Sequence, residues 1–305
     1  MADEKRTKAR NPQAGSTLRD LARAAVEQLA GMRKVPAAKR VELARDPQRP
    51  HADFFIDALF TDFVELHGDR LDKDDHSIKG GIARFHGRPV TVIAQCKGSD
   101  LEQNLTYNFG MPDPQGYRKA QRLARQAEKF GRPIITIVDT PGAYPGIEAE
   151  EKGQGEAIAR SISLFSALRV PVVAVFIGEG GSGGALALGV ANRMIMLENA
   201  IYSILSPEGF ASILWKDASR SKEAAGVMGL TSRDILRAGV ADLVVPEGAK
   251  PLTVPCPELV VRLDQAISAA LAEVGTLAGD ELAEQRYQKF RAIGSCLEPA
   301  RKEGR

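Results

Sequence analysis

The sequence predicts an α/β fold built on parallel strands, and three observations carry that prediction. First, a short apolar run is entered through a proline three times. Gly87-Arg88-Pro89 leads into VTVIAQ, Gly131-Arg132-Pro133 into IITIVD and Arg169-Val170-Pro171 into VVAVFI, with the prolines 44 and 38 residues apart. Second, amphipathic helical stretches lie between the runs. Pro114 to Phe130 carries Tyr117, Ala120, Ala124 and Ala127 on one side and Arg118, Arg122, Arg125 and Lys129 largely elsewhere, and Gly155 to Leu168 follows the next run. Third, each run ends in a glycine-bearing loop. Parallel neighbours need a crossover long enough to hold a helix, and this spacing provides one. Ligands of such sheets gather at the carboxyl ends of the strands, so the loops are expected to share one site.

Along the chain, residues 1–16 form a basic tail expected to be disordered. Residues 17–79 read as a helical N-terminal arm. Thr17 to Met32 has Leu18, Leu21, Ala25 and Leu29 at helical spacing, and a second helix follows Pro36 and stops at Asp46-Pro47-Gln48-Arg49-Pro50. A third is expected over Asp53 to Leu66, with Phe54, Ala58, Leu59, Phe63 and Leu66 on one face. The core spans 80–256, with further strands at Met194 to Leu197, Ile201 to Leu205 and Asp242 to Val245. Ser206-Pro207-Glu208 opens a helix by the capping rules. Residues 257–305 finish the chain as helices, broken near Gly275 to Gly279.

Composition bounds the function. The 305 residues are 44% apolar and 26% charged with a net charge of +2, which suits a large soluble core, and no apolar run is long enough to cross a bilayer. The start is charged and carries no signal peptide, so a cytoplasmic location is expected. Cys96, Cys256 and Cys296 are far apart, which fits a reducing compartment and no metal site built by this chain alone. Residues 1–50 hold twelve Lys or Arg against six Asp or Glu. No aromatic stacking platform accompanies them, so a solvated surface is preferred to nucleic-acid binding.

The stretch PVVAVFIGEGGSGGALAL, Pro171 to Leu188, reads as strand, loop and helix, with five glycines among the seven residues from Gly178 to Gly184. The glycines are expected to turn the backbone with positive φ and to aim bare N–H groups from a helix N-terminus. Gly178, Gly180 and Gly183 spell G-x-G-x-x-G, with Glu198 twenty residues on where a dinucleotide fold places its ribose-binding acid. Gly180, Ser182 and Gly184 spell the nucleophile elbow G-x-S-x-G, whose triad histidine follows the serine. Here His51, His67, His76 and His86 all precede it, which argues against the elbow. An oxyanion hole of backbone amides remains, as does a plain glycine turn that lets a helix pack.

Several segments together resemble the carboxyltransferase α subunits of bacterial acetyl-coenzyme A carboxylase. They are Asn108 to Pro112 (NFGMP), Gly116 to Ala120 (GYRKA), Asp139 to Gly146 (DTPGAYPG), Gly178 to Ala187 (GEGGSGGALA), Ser206 to Gly209 (SPEG), Ile213 to Lys216 (ILWK) and Arg286-Tyr287-Gln288. The likeness runs from about Asp46 to Gly294. It implies a crotonase-like spiral of ββα repeats and transfer of a carboxyl group from carboxybiotin, borne by a biotin carboxyl carrier protein, to acetyl-CoA to form malonyl-CoA for fatty acid synthesis. It also implies work alongside biotin carboxylase and a carboxyltransferase β subunit in an α2β2 assembly. In that assembly the β subunit holds zinc and most of the acyl-CoA site.

The hard species of that reaction are oxyanions, so backbone donors suffice. By resemblance they fall among Gly180, Gly181, Gly183, Gly184 and Ala185, and Thr140, Pro141, Gly142, Ala143, Tyr144, Pro145 and Gly146 wall the biotin pocket. Asp139 and Glu179 stand between a titrating role and a turn-capping one. Two departures concern the acyl acceptor: Tyr107 stands where the family has a basic residue, and Glu247 to Pro251 replaces its EPxGGAH segment. A paralogue acting on another acyl-CoA, a nicotinamide-dependent oxidoreductase and a noncatalytic assembly subunit are the competing readings.

Overall fold

A computed structural model describes residues 18–31, 34–248, 252, 254 and 256–294 of the chain. The tail expected over residues 1–16, Ala249 to Pro251 and Cys296 lie outside them. The described helices are α1 (Leu18–Gly31), α2 (Ala37–Ala44), α3 (Ala52–Leu59), α4 (Leu101–Thr106), α5 (Pro114–Lys129), α6 (Ile147–Glu151), α7 (Gln154–Ala167), α8 (Ser182–Gly189), α9 (Pro207–Trp215), α10 (Ser221–Val227), α11 (Ser232–Arg237), α12 (Pro257–Val274) and α13 (Gly279–Ala292).

The strands β1 (Thr61–Glu65), β2 (Ile78–Phe85) and β3 (Arg88–Gln95) form an antiparallel ribbon. To it are added, all in parallel, β4 (Ile134–Thr140), β5 (Val172–Gly181), β6 (Arg193–Leu197), β7 (Ile201–Ser203) and β8 (Leu243–Val245). The order is β1-β2-β3-β4-β5-β6-β8, with β7 beside β5. The three proline-entered runs are therefore neighbouring parallel strands, with Thr91 opposite Ile134 and Ile134 opposite Val172. Every residue of β4 and β5 is buried. Two helical layers explain this: α5, α7 and α8 pack together on β2 to β5, and α1, α3 and α12 pack together over β3 to β8.

The helices form where capping and periodicity say they should. Pro114 opens α5 at its first turn, and Tyr117, Ala120, Leu123, Ala124 and Ala127 are its buried stripe. Lys119 is buried with them, and its Nζ bonds Asp74 Oδ1 at 2.7 Å, which removes the cost of an unpaired charge. Ser206 Oγ accepts the Gly209 N–H at 3.0 Å and starts α9.

The third helix is a correction. It was expected to run to Leu66, but it ends at Leu59, and Thr61–Glu65 is strand β1. Phe60 turns extended (φ −122°, ψ 151°) and its ring packs 5.7 Å from Phe85 of β2. The β-branched and aromatic residues that follow fit a pleated edge better than a helix.

α13 returns to the sheet. Its Arg286, fully buried, donates Nη1 to Asn192 Oδ1 at 2.5 Å and to the Val170 carbonyl at 3.3 Å. Asn192 Oδ1 also accepts the Val172 N–H at 3.0 Å, and its Nδ2 reaches the Leu282 carbonyl at 2.9 Å.

One irregularity positions the site. Val138 pairs with Phe176, but the next pair is Thr140 with Gly180, so Ile177, Gly178 and Glu179 of β5 all face Asp139. Up to Phe176 β5 pairs with β6, and from Glu179 onward with β7.

Candidate active site

Two backbone loops close on each other at the carboxyl ends of β4 and β5. The first runs from Thr140 to Gly146. Thr140, fully buried, folds its start: Oγ1 accepts the Gly142 N–H at 3.0 Å and donates to the Gly142 carbonyl at 2.8 Å. Gly142 has φ 150°. Gln154 holds the far side by donating Nε2 to the carbonyls of Pro112 and Tyr144, both at 2.9 Å. Pro141 and Pro145 are exposed, and Gly142, Ala143, Tyr144 and Gly146 are half-buried. The Tyr144 ring lies where a Gly146 side chain would be.

The second loop joins β5 to α8. A Cβ on Gly181 would strike the Pro141 carbonyl, and one on Gly184 would lie 2.7 Å from the Ala143 nitrogen and 2.9 Å from the Gly142 carbonyl carbon. The two backbones can meet only because both residues are glycine. Gly183 is different, since a Cβ there meets only Ile158 Cγ2 at 3.3 Å. The sequence reading gave this stretch positive φ through its glycines; the structure places positive φ on Ser182 alone, at 50°. β5 stays extended through Gly181 and α8 starts at once, so the glycines serve close approach and a single residue makes the turn.

The five expected donors lie together in three situations. Gly180 and Gly181 stand in the ladder opposite Tyr202 and Ser203 of β7. Gly183 and Gly184 fall in the first turn of α8, where N–H groups have no intrahelical acceptor and the helix dipole is positive. Ala185 is the first residue for which helical register supplies an acceptor, Gly181. Buried Gln95 donates Nε2 to the Gly184 carbonyl at 2.9 Å and fixes that first turn from below.

Asp139 and Glu179 are both committed to partners. Asp139 is fully buried; its Oδ1 accepts the Glu179 N–H at 2.9 Å and its Oδ2 pairs with His51 Nδ1 at 3.0 Å. Glu179 receives Arg45 Nε at 2.7 Å and Lys97 Nζ at 2.5 Å. Burial alone would raise the Asp139 carboxyl, but the Lys97 charge, His51 and the Glu179 N–H together hold it below its ordinary value. For Lys97 burial pulls downward, and Asp139 and Glu179 outweigh it and raise the ammonium. Sequence reasoning missed Arg45, Arg49 and His51, for which the one signal was the proline-bracketed run Asp46 to Pro50, read only as a helix end; Lys97 stands in the Lys97-Gly98 loop at the end of the first proline-entered strand, one of the loops expected to share the site.

Other features bear on the competing readings. Glu198 is buried, 3.3 Å from the Arg40 guanidinium, and accepts the Glu247 N–H at 3.1 Å, so the acid of the dinucleotide pattern is already occupied. Tyr107 donates its hydroxyl to Asp53 Oδ2 at 2.9 Å, and burial together with that carboxylate pushes it up to about 12. His51 and Lys97 line a cavity of about 320 Å³ with Gln48, Ser99 and Gln103. Among the described residues no His, Cys, Asp and Glu are grouped to hold a metal, and no helix is long and apolar enough to cross a membrane.

Known proteins are similar to this chain in sequence and in fold. The profile of the acetyl co-enzyme A carboxylase carboxyltransferase-like family matches residues 4–294. The acetyl-coenzyme A carboxylase carboxyl transferase subunit alpha of Anoxybacillus flavithermus is 53% identical over 259 residues, 85% of this chain and 80% of that one. Its namesake in Streptococcus gordonii is 54% identical over 251 residues, 82% and 96% of the two chains. Among solved structures, the transcarboxylase 12S core superimposes with a TM-score of 0.62 at 18% identity, over 88% of this chain and 47% of that one. A Pseudomonas malonate decarboxylase hetero-tetramer in complex with coenzyme A gives 0.57 at 21% identity, over 70% and 85%. At these identities the structural likeness speaks for the fold, which is the crotonase type. With a family profile spanning nearly its whole length and relatives above half identity, the chain belongs to the acetyl co-enzyme A carboxylase carboxyltransferase-like family, as an α subunit.

Proposed function

We propose that the interlocked loops at Gly181 and Gly184 are the biotin-facing half of a carboxyltransferase that moves a carboxyl group from carboxybiotin to acetyl-CoA. The fit rests on one observation: the two loops touch backbone to backbone where a Cβ on either glycine would clash, which sets the first turn of α8, with its unpaired N–H groups, directly against the Thr140 to Gly146 loop. Biotin, tethered to a carrier protein, supplies the activated carboxyl group. When bound, carboxybiotin would supply the carboxyl group for the new C–C bond at the acetyl methyl, its nitrogen taking up the proton that the methyl gives up, while this chain would supply the donors around the developing charge. Gly183 and Gly184 in the first turn of α8 would donate to the oxygen on which negative charge develops, with Gly180, Gly181 and Ala185 framing them. Thr140 to Gly146 would form the wall, with Tyr144 presenting its ring.

The same reading assigns the other half of the site to a β subunit that holds zinc and most of the acyl-CoA contacts, in an α2β2 assembly supplied by biotin carboxyl carrier protein and biotin carboxylase. The names of the relatives, which are subunits designated alpha, support it. A cytoplasmic location belongs to the same proposal, and the buried free thiols of Cys96 and Cys256 support it. The test is coexpression with the β subunit and assay of malonyl-CoA plus biocytin, read as acetyl-CoA formed. The assembled complex is expected to turn over and the isolated chain not to; equal rates in both would overturn the division of the site.

A further inference from the structure

We propose that the segment from Arg45 to His51 is a clamp on the β5 bulge, with His51 and Asp139 as positioning residues for the glycine loop. The inference rests on the reading of that loop as the donor site. On the β4 side, Ile177, Gly178 and Glu179 face Asp139 alone, so that ladder leaves backbone groups unpaired at the bulge. Side chains meet them. Arg49 donates Nε to the Ile177 carbonyl at 2.6 Å, and Asp139 Oδ1 accepts the Glu179 N–H. The missing Cβ of Gly178 makes room for that carboxylate.

Each of these side chains is itself held. Glu247 grips Arg49 through both terminal nitrogens, at 2.9 and 2.5 Å, and His51 Nδ1 holds Asp139 Oδ2. Arg45 bonds the Glu179 side chain and reaches Glu208 of α9 at 2.9 Å. The three cationic or ring groups all come from the short connection between α2 and α3.

The consequence follows from what a bulge does. It adds twist and re-aims the strand beyond it. Here the strand beyond is Gly180 and Gly181, which pair with β7 and lead directly into α8. The direction of the Gly183 and Gly184 N–H groups is thus set at Glu179. The His51 side chain is only 10% exposed, and its Nε2 has no hydrogen-bond partner among the described residues. Its bond to Asp139 is what the ring contributes. Donors aimed at a reacting oxygen lose effect steeply with angle and with displacement.

The test uses the complex with the β subunit and two variants, His51→Phe and His51→Asn. It reads kcat, KM for malonyl-CoA and biocytin, melting temperature, and amide hydrogen exchange of the peptide covering Ile177 to Gly184. His51→Phe is expected to lower kcat roughly 10- to 100-fold with little change in either KM, and to speed exchange in that peptide alone. His51→Asn, which keeps a side-chain N–H toward Asp139, is expected to recover most of both. A folded Phe variant with unchanged kcat and exchange would overturn the clamp, as would an Asn variant as impaired as the Phe variant. Should His51→Phe not assemble, His51→Ala takes its place under the same criteria. Wild-type turnover tests the functional reading separately, and hydrogen exchange reads the clamp whether or not the complex is active.

Discussion

Gly183 and Gly184 are neighbours in sequence but differ in what a side chain would meet. A Cβ on Gly184 enters the backbone of Gly142 and Ala143, while one on Gly183 meets only the Ile158 Cγ2 methyl at 3.3 Å. Gly184→Val in the assembled enzyme is therefore expected to lower kcat roughly a hundred- to thousandfold, the cost of about one well-aimed donor. Gly183→Ala should be much milder; kcat per assembled complex, with melting temperature alongside, checks both. The glycines were legible because a missing side chain is visible in sequence. Arg49 and His51 were not, since their partners Ile177 and Asp139 lie 128 and 88 residues away and leave no local pattern. Asp139 also gives a pH prediction. Its folded value is depressed below 3.8, so its contribution is present above the unfolded value and is lost as pH falls through the lower folded one. Asp139→Asn should flatten the acid side of a stability profile, measured as the urea midpoint between about pH 2 and pH 6.

At the scale of elements, the proline-entered strands were legible because burial on both faces makes a continuous apolar run, and β4 and β5 are such runs. β1 was not, because Phe54, Ala58, Leu59, Phe63 and Leu66 fit a helical stripe as well as a helix followed by an edge strand. Lys119 broke the expected pattern of α5 for a related reason: its partner Asp74 belongs to a distant loop. The link between Arg49 and Glu247 ties the α2 to α3 connection to the segment after β8, and both side chains are almost wholly buried. Glu247→Ala leaves that guanidinium uncompensated and is expected to destabilise the fold by about 3–5 kcal/mol, checked by chemical denaturation.

For the whole molecule, the family and the carboxyl-transfer reading were legible because several motifs recur together along most of the chain. The partner arrangement was not, since a surface has no periodicity of its own. Ile147, Ile204, Ile213 and Leu214 are each 60% or more exposed on the isolated chain, which supports an assembly that covers them. Elemental analysis of the purified chain is expected to return no stoichiometric zinc, because Cys96, Cys256 and Cys296 lack the paired spacing of a zinc ribbon. One zinc per chain would reverse that reading.

The bond from Arg286 to Asn192 has a consequence for how the protein is made. Asn192 caps the first amide of β5, and the side chain that completes it is made 94 residues after Asn192. While the ribosome is still translating, the central strand lacks its final fastening, even though the donor loop eight residues before Asn192 has long since emerged. A chain lacking α13 would leave the Asn192 carboxamide and the Val170 carbonyl without that guanidinium at the start of the central strand, and such a chain is expected to be cut by proteases faster than the full one.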